Sequence, residues 1–443
     1  VSGADTIFAL STARGRSAIA VIRVSGPRAR AGLASLAPRC MPQPRVAKLA
    51  KLADPATGEA IDDALALWFP APRSETGEDV VELQVHGGRA VIAGVLEALA
   101  SVPGLRPAEP GEFTKRAFLN GKIDLTAAEG LLDLIDAETA AQRRQALRQM
   151  EGGLAVLYED WRSRLVRALA HLEAEIDFGE EDLPRNIGDA ALTGLTQLRG
   201  EIAAHLDDRR RGEVLREGLS VAILGAPNVG KSSLMNALTR RETAIVSSIA
   251  GTTRDIVEAR LDLAGYPILL ADTAGLREVA DGDPIEREGV RRALARAEQA
   301  DLRVLLVPAG AEPDSATAAL VGPDAILVAS KADLVEPNAA RVPAGVIAIS
   351  AVTGFGLDAL RHRLLAEAEA RMNAAGSPAI TRARHRAALS ECIASLARAG
   401  GAPTLELTAE DVRLAARALG RITGRVGVED LLDVIFREFC IGK

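Results

Sequence analysis

Aromatic residues make up only 3% of this 443-residue chain, with two Trp, two Tyr and eight Phe. Cores with so few rings must rest on Ala, Leu, Val and Ile, a composition that leans towards helix. Cysteine is scarcer still. Cys40, Cys392 and Cys440 are far apart and odd in number. That excludes a disulfide framework or a thiolate metal site of familiar spacing, and it fits a reducing compartment. Basic charge is not in excess either. The net charge is -7, so no global positive field grips nucleic acid unaided, although a local basic patch remains compatible with it. No apolar run approaches the roughly 20 residues that span a bilayer, and the first residues lack a basic stretch followed by an apolar one. A cytoplasmic protein without a membrane segment is expected.

What is present is ample apolar material, 48% of the chain, enough for roughly two to four domains. Three textures follow one another. Residues 1–120 carry short β-like runs, Ala18–Val24, Ala64–Phe69 and Val80–Val85, punctuated by Gly26-Pro27 and Pro70-Ala71-Pro72, which predicts a small α+β domain. From Asp124 the pattern turns helical. Leu131, Leu134 and Ile135 are apolar in one segment, and Leu165, Leu169, Leu172 and Ile176 share one helix face in another. Strands and helices alternate over 218–365, the mark of a parallel α/β sheet. Helical patterns then return to the end, with Leu431, Leu432, Ile435, Phe436 and Phe439 on one face. The expected architecture is an α/β domain (218–365) inserted into a helical one (121–217 with 366–443), after an N-terminal α+β domain (1–120).

The inserted region carries the chemistry. The apolar run Leu219–Leu224 leads into Gly225-Ala226-Pro227-Asn228-Val229-Gly230-Lys231-Ser232, the G-x-x-x-x-G-K-S phosphate loop. Its glycines let backbone N–H groups converge on phosphate oxygens, Lys231 reaches the outer phosphates, and Ser232, followed by Ser233, can hold Mg²⁺. Downstream, Gly251-Thr252-Thr253-Arg254-Asp255 offers Thr253 as a second Mg²⁺ ligand. Ile268–Ala271 reads as a strand ending in Asp272-Thr273-Ala274-Gly275, where the acid holds Mg²⁺ through water and the Gly275 N–H meets the γ-phosphate. Ala325–Ala329 runs into Ser330-Lys331-Ala332-Asp333, whose Asp333 can accept both hydrogens of the guanine N1 and N2 edge. Val346–Ile349 leads to Ser350-Ala351, a backbone contact for the base. Five such elements in this order specify a GTPase and resemble the translation-factor-like group. Ser330 stands where these proteins usually carry Asn, which predicts weaker guanine affinity with selection over adenine kept.

The wording around these motifs is more specific. Gly-x-Pro-Asn-x-Gly-Lys-Ser, Ala250-Gly251-Thr252-Thr253-Arg254-Asp255 and Asp272-Thr273-Ala274-Gly275-Leu276-Arg277 resemble the MnmE/TrmE family of tRNA-modifying GTPases. So do Gly77-Glu78-Asp79-Val80, His86-Gly87-Gly88, the stretch Pro110 to Asn120, and Phe439-Cys440-Ile441-Gly442-Lys443. The resemblance spans the chain. It implies a homodimer that works with a flavoprotein, MnmG or GidA, in a heterotetramer or larger complex. The two would install a 5-(carboxymethyl)aminomethyl group on the wobble uridine of tRNA, drawing on 5-formyl-tetrahydrofolate or a related one-carbon tetrahydrofolate.

It also implies residue roles. Many GTPases neutralise transition-state charge with an arginine finger, and here a bound K⁺ takes that place. Asn228, Ser247, Ile249 and Thr252 map to its ligands, partly through backbone oxygens, within a nucleotide-binding loop that includes Ser248, Ala250 and Gly251. The water-orienting glutamate maps to Glu286, with Glu288 and Glu278 as alternates. Folate positions map to Arg23, Glu82, Lys122 and Lys443, and Glu75 replaces the usual aromatic near Gly77. Cys440 has no fixed His or Lys partner and reads as structural or pocket-lining. Asp177, Glu180, Glu181 and Asp182 read as a solvated helix end, and Arg209-Arg210-Arg211 as surface charge. The rival function is a regulatory RNA-associated switch of the ribosome-assembly type. Those usually bring a basic pI and an RNA-binding appendage, and this chain shows neither.

Overall fold

The computed structural model describes residues 5–13, 15–178, 187–241, 243–245, 258–272, 300–335, 343, 345–372, 378–427, 432, 435–439 and 441–442. They fall into two compact units. One comprises Val1–Leu132, Tyr158–Ser163 and Ala416–Lys443, and the other Asp133–Leu157 and Arg164–Ala415.

The first unit is built on six strands, β1 (Thr6–Leu10), β2 (Ile19–Ser25), β3 (Lys48–Ala53), β4 (Ala60–Phe69), β5 (Val80–His86) and β6 (Leu105–Pro107). Their order is β3-β4-β5-β2-β1-β6, antiparallel except for the β1–β6 pair. Alternation sets the buried face: Ala20, Ile22 and Val24 of β2 and Val81, Leu83 and Val85 of β5 point inward with Ala64 and Ala66 of β4. The small alanines let helices α1 (Ala29–Leu36) and α2 (Arg89–Ala100) lie close, with Leu33, Leu36, Val95 and Leu99 in the same core. All three expected strands are there. β1 and β3 carried no recognised sequence signal. The Lys48-Leu49-Ala50-Lys51-Leu52-Ala53 repeat of β3 suits a helix as well as a strand, and only pairing with β4 decides it.

Two further helices follow, α3 (Glu112–Leu119) and α4 (Leu125–Asp136). Leu125, Ala128 and Leu132 of α4 pack with Leu432, Ile435, Phe436 and Phe439, the apolar face expected near the end of the chain, while Leu431 lies outside the described side chains. This seam explains two glycines of the family wording. A Cβ on Gly111, whose φ is +66°, would come within 2.2 Å of the Phe436 carbonyl oxygen, and one on Gly442 (φ +99°) within 2.1 Å of that of Leu10.

The second unit contains α5 (Ala140–Met150), the described continuation of α6 (Gly153–Phe178), α7 (Ile187–Leu206) and α8 (Arg211–Glu217). Leu165 and Leu172 of α6 are buried and Leu169 and Ile176 half-buried, as their spacing predicts. A seven-stranded sheet follows, made of β7 (Leu219–Gly225), β8 (Thr243–Ile245), β9 (Glu258–Leu263), β10 (Tyr266–Asp272), β11 (Leu302–Pro308), β12 (Ala325–Ser330) and β13 (Ile347–Ala348). Its order is β13-β12-β11-β7-β10-β9-β8, parallel from β13 to β10. Both faces are covered. Val221, Ile223, Leu270 and Val304 meet α9 (Lys231–Arg241) and the helix Leu357–Met372 on one side, and Ala222, Leu224 and Leu305 pack on the other. Arg210 of the basic run is committed to the buried Glu213, whose second oxygen pairs with Arg386.

Candidate nucleotide site

Open parallel sheets bind ligands beyond the carboxyl ends of their strands, where the strand order reverses. Here the chain leaves β7 for β8, β9 and β10 on one side and then crosses to β11 on the other, so the end of β7 is such a point. The phosphate loop begins there. Gly225 (φ +145°) is pressed against β11, where a Cβ would stand 2.4 Å from the Leu306 carbonyl oxygen. Asn228 takes a left-handed conformation at φ +59°, and Gly230 turns at φ +106° to start α9. Between them Val229 is buried and anchors the loop to the core. The N-terminal end of α9, the positive end of its helix dipole, therefore faces the loop.

Lys231 is only 7% exposed, and its ammonium donates to the carbonyls of Gly225 (3.0 Å) and Ala226 (2.9 Å). The loop thus folds around its own cation. Ser232 and Ser233 are exposed in the first turn of α9. Asp272 ends β10 with its backbone in register with Ile223 of β7, two residues before Gly225, so the acid that ends that strand sits alongside the phosphate loop. Its side chain lies outside the described residues, as do Ser247, Ser248, Ile249, Ala250, Gly251, Thr252, Thr253, Thr273, Ala274, Gly275, Glu278, Glu286, Glu288, Cys440 and Lys443.

The loops that follow β12 and β13 converge on the same rim. Ser330, 3% exposed, ends β12 and donates its hydroxyl to the Val229 carbonyl at 2.7 Å, with the Val307 carbonyl at 3.3 Å. Lys331 turns at φ +55°, and the exposed Asp333 follows in a 3₁₀ turn, Ala332–Leu334. The Ala332 N–H donates to the Ile349 carbonyl (2.9 Å), which ties this loop to Ser350-Ala351. Ser350 is buried, its N–H bonded to the Phe355 carbonyl and its hydroxyl accepting from the Thr353 N–H at 3.1 Å.

A second group of expected site residues gathers in the first unit. Arg23 and Glu82 face each other across β2 and β5, with the guanidinium 2.9 Å from the carboxylate. Glu75 also pairs with Arg23, at 2.5 Å, and the Phe113 ring lies beneath it at 5.9 Å. Lys122 donates to the Pro72 carbonyl (2.9 Å), and its side chain packs on Gly77 (φ +80°), one of the family-wording residues. The loop 75–78 therefore touches Arg23 and Lys122 together. Its other polar residues are structural. Thr76 meets the Ser25 hydroxyl and accepts from the Asn120 amide, and Glu78 pairs with Arg116.

Arg116 also pairs with Asp5 and Glu112, and Arg106 with the same two acids, a network that accounts for much of the Pro110 to Asn120 wording. Cys392 is fully buried, and its thiol is pushed up to about 12, first by burial and then by Glu391, which makes it an inert core residue. One junction escaped the sequence reading, the N-terminus of α5. Its signal was available in Thr139-Ala140-Ala141-Gln142, a capping-box pattern that the structure forms.

Comparison with known proteins places this geometry. The profile of the MnmE helical domain matches residues 125–440, and that of the GTP-binding protein TrmE N-terminus matches residues 6–122. The chain is 61% identical to the tRNA modification GTPase MnmE of Parvibaculum lavamentivorans, over 99% of this chain and 100% of that one. It is 57% identical to the protein of the same name from Rhodospirillum rubrum, over 99% of each. The human mitochondrial 5-taurinomethyluridine-[tRNA] synthase subunit GTPB3 is 50% identical over the whole of this chain and 94% of its own.

Proposed function

The chain belongs to the MnmE family of tRNA modification GTPases, and we propose that it hydrolyses GTP with the help of K⁺ to drive wobble-uridine modification together with a flavoprotein of the MnmG/GidA type. The observation that carries the catalytic part is the phosphate loop itself, a glycine-shaped cradle with Lys231 folded into it and Ser330 joining it to the base-reading loop. Within this reading the chain has an N-terminal domain (1–120), a helical domain (121–217 with 366–443) and a G domain (218–365).

Two of the expected ion ligands lie among the described residues, and their chemistry suits the ions: the Ser232 hydroxyl, exposed at the start of α9, would ligate Mg²⁺ with Thr253, and Asn228, exposed in its left-handed turn, would ligate K⁺ with Ser247, Ile249 and Thr252. When bound, the two ions supply positive charge at the phosphate oxygens. Lys231 exchanges its two carbonyl partners for the outer phosphates and offsets charge that builds on them. The N–H groups of the loop and of Gly275 hold the γ-phosphate in line, and Glu286 orients the attacking water. The new P–O bond forms as the bond to the β–γ bridging oxygen breaks, leaving GDP and phosphate. Asp333 and the Ser350-Ala351 backbone hold guanine.

The Arg23, Glu82 and Lys122 group, with Lys443, fits a one-carbon tetrahydrofolate. The cations suit the glutamate tail or the formyl oxygen, and Glu82 suits the hydrogen-rich pterin edge. When bound, the folate supplies the one-carbon unit. A homodimer acting on tRNA in the cytoplasm completes the reading. Among the described residues no helix is long and apolar enough to cross a membrane.

The test is reconstitution of the chain with the flavoprotein, substrate tRNA, GTP, K⁺, a one-carbon tetrahydrofolate and an amine donor, ammonium or glycine in separate reactions, followed by nucleoside mass spectrometry. The modified uridine is expected only when every component is present. Modification that persists without GTP or without this chain overturns the proposal.

A further inference from the structure

The strands β9 and β10 form a hairpin whose two ends lead to the Thr253 and the Asp272-Thr273-Ala274-Gly275 segments, the two that the GTPase reading assigns to the γ-phosphate. β9 starts five residues after Thr253, and β10 ends at Asp272. The pair is in register from Tyr266–Leu263 to Ala271–Glu258 and turns through Ala264 (φ +51°) and Gly265 (φ +92°). Both turn residues having positive φ marks the tight two-residue turn that matches strand twist, and Asp262 pins it by accepting from the Gly265 N–H at 2.6 Å.

Its tip sits on the N-terminus of α5. The capping box of Thr139 and Gln142 satisfies donors of that helix end, but the Ala141 N–H points outward and donates to the Gly265 carbonyl at 3.1 Å. One residue before the cap, Glu138 accepts from Arg260 of β9 at 3.1 Å. Gln142 in turn donates to the Arg216 carbonyl of α8 (3.0 Å) and Gln145 to that of Gly212 (3.1 Å). α8 leads directly into β7 and the phosphate loop. The start of α5 therefore touches both the hairpin that joins the Thr253 and Asp272 segments and the segment that leads into the phosphate loop. A cleft of about 310 Å³, lined by Asp133, Asp136, Gln145, Arg216, Glu217 and Arg260, lies beside the Glu138–Arg260 pair and leaves Arg260 room to change its position.

We propose that the N-terminus of α5 is the contact through which the helical part of the chain senses the bound nucleotide, with Glu138–Arg260 as its charged latch and Ala141–Gly265 as its backbone pivot. Presence of the γ-phosphate alters the contacts of the loops at both ends of the hairpin. The stiff pair of strands carries that change to the tip, and the tip makes or breaks its bonds to α5. Glu138 and Arg260 act through the hairpin and are positioning residues. The inference rests on the GTPase reading.

The experiment is hydrogen exchange of full-length protein in GDP and in GDP with aluminium fluoride and K⁺, with GTP turnover measured in parallel. Wild type, Glu138→Arg, Arg260→Glu and the double reversal are compared. The segment 138–150 of the wild type is expected to differ in uptake between the two states. Each single reversal should remove most of that difference while turnover stays within about twofold, since an exposed pair is worth little to stability, and the double reversal should bring the difference back. Equal uptake in both states, with GTP turning over normally, overturns the inference and leaves the GTPase reading intact. So does a difference that the single reversals leave unchanged or that the double reversal does not restore. Absence of GTP turnover in the wild type removes both.

Discussion

The Ser330 hydroxyl donates to the Val229 carbonyl across 2.7 Å, so the loop that follows β12 is clamped to the Gly225–Ser232 loop. The usual Asn has a side chain long enough to brace the phosphate loop and still reach the base. Ser330 keeps the first role, and its single proton is spent on it. Removing a buried partner of this kind costs about 1–3 kcal/mol. Ser330→Ala is therefore expected to weaken GDP binding by roughly tenfold or more, while Ser330→Asn binds GDP more tightly than the natural chain. Equilibrium titration with a fluorescent GDP checks both, and equal affinity in all three proteins contradicts the clamp.

The proposed function has Asp333 select the base by accepting two hydrogens from guanine. Asp333→Asn replaces one acceptor with a donor, which suits the C2 oxygen of xanthine. Preference for guanine should fall on the order of a hundredfold and xanthosine nucleotides should bind in its place. Competition between GDP and XDP for the variant measures this directly.

Lys231 is held by two loop carbonyls, and the proposed mechanism has it exchange them for the outer phosphates. Lys231→Met should lower turnover about a hundred- to a thousandfold. Single-turnover hydrolysis with GTP in excess of its dissociation constant separates this loss from weakened binding.

These residues were legible in sequence because the phosphate-loop chemistry demands fixed types at fixed spacing, and Gly225, Lys231, Ser330 and Asp333 occur in that order after strands. Glu75 was legible only as a departure from family wording. Its pairing with Arg23 depends on how the loop 75–78 packs against β2, which spacing does not state. The β3 repeat and the seating of Gly111 on the Phe436 carbonyl were hidden for the same reason, since each is decided by a partner remote in the chain. The α5 junction was half legible. Thr139 and Gln142 announce a helix start, but nothing local shows that Gly265 lies against it.

The network of Asp5, Glu112, Arg106 and Arg116 gives the first unit an acid-sensitive component. For Glu112 burial is the largest single influence and pushes its carboxyl up, but the bonds from Arg106, the Glu109 N–H and Arg116 together outweigh it and leave it below its usual value. Asp5 is lowered in the same way against its own burial by Arg106 and Arg116. A carboxyl lowered on folding contributes stability that is complete above its unfolded value, about 4, and is lost as the pH falls through the folded one. Melting temperature should therefore drop on acidification below about pH 4, and the gap between wild type and Arg116→Met should narrow over that range. A gap that stays constant down to pH 3 would rule out this contribution.

The most direct measurement is GTP turnover by the purified chain in KCl and in NaCl at equal ionic strength, with Asn228→Ala alongside. Strong activation by K⁺ that the variant largely loses is the predicted result, since Asn228 occupies the left-handed turn at the rim of the phosphate loop. Equal rates in both salts, or full K⁺ activation in the variant, would contradict the account.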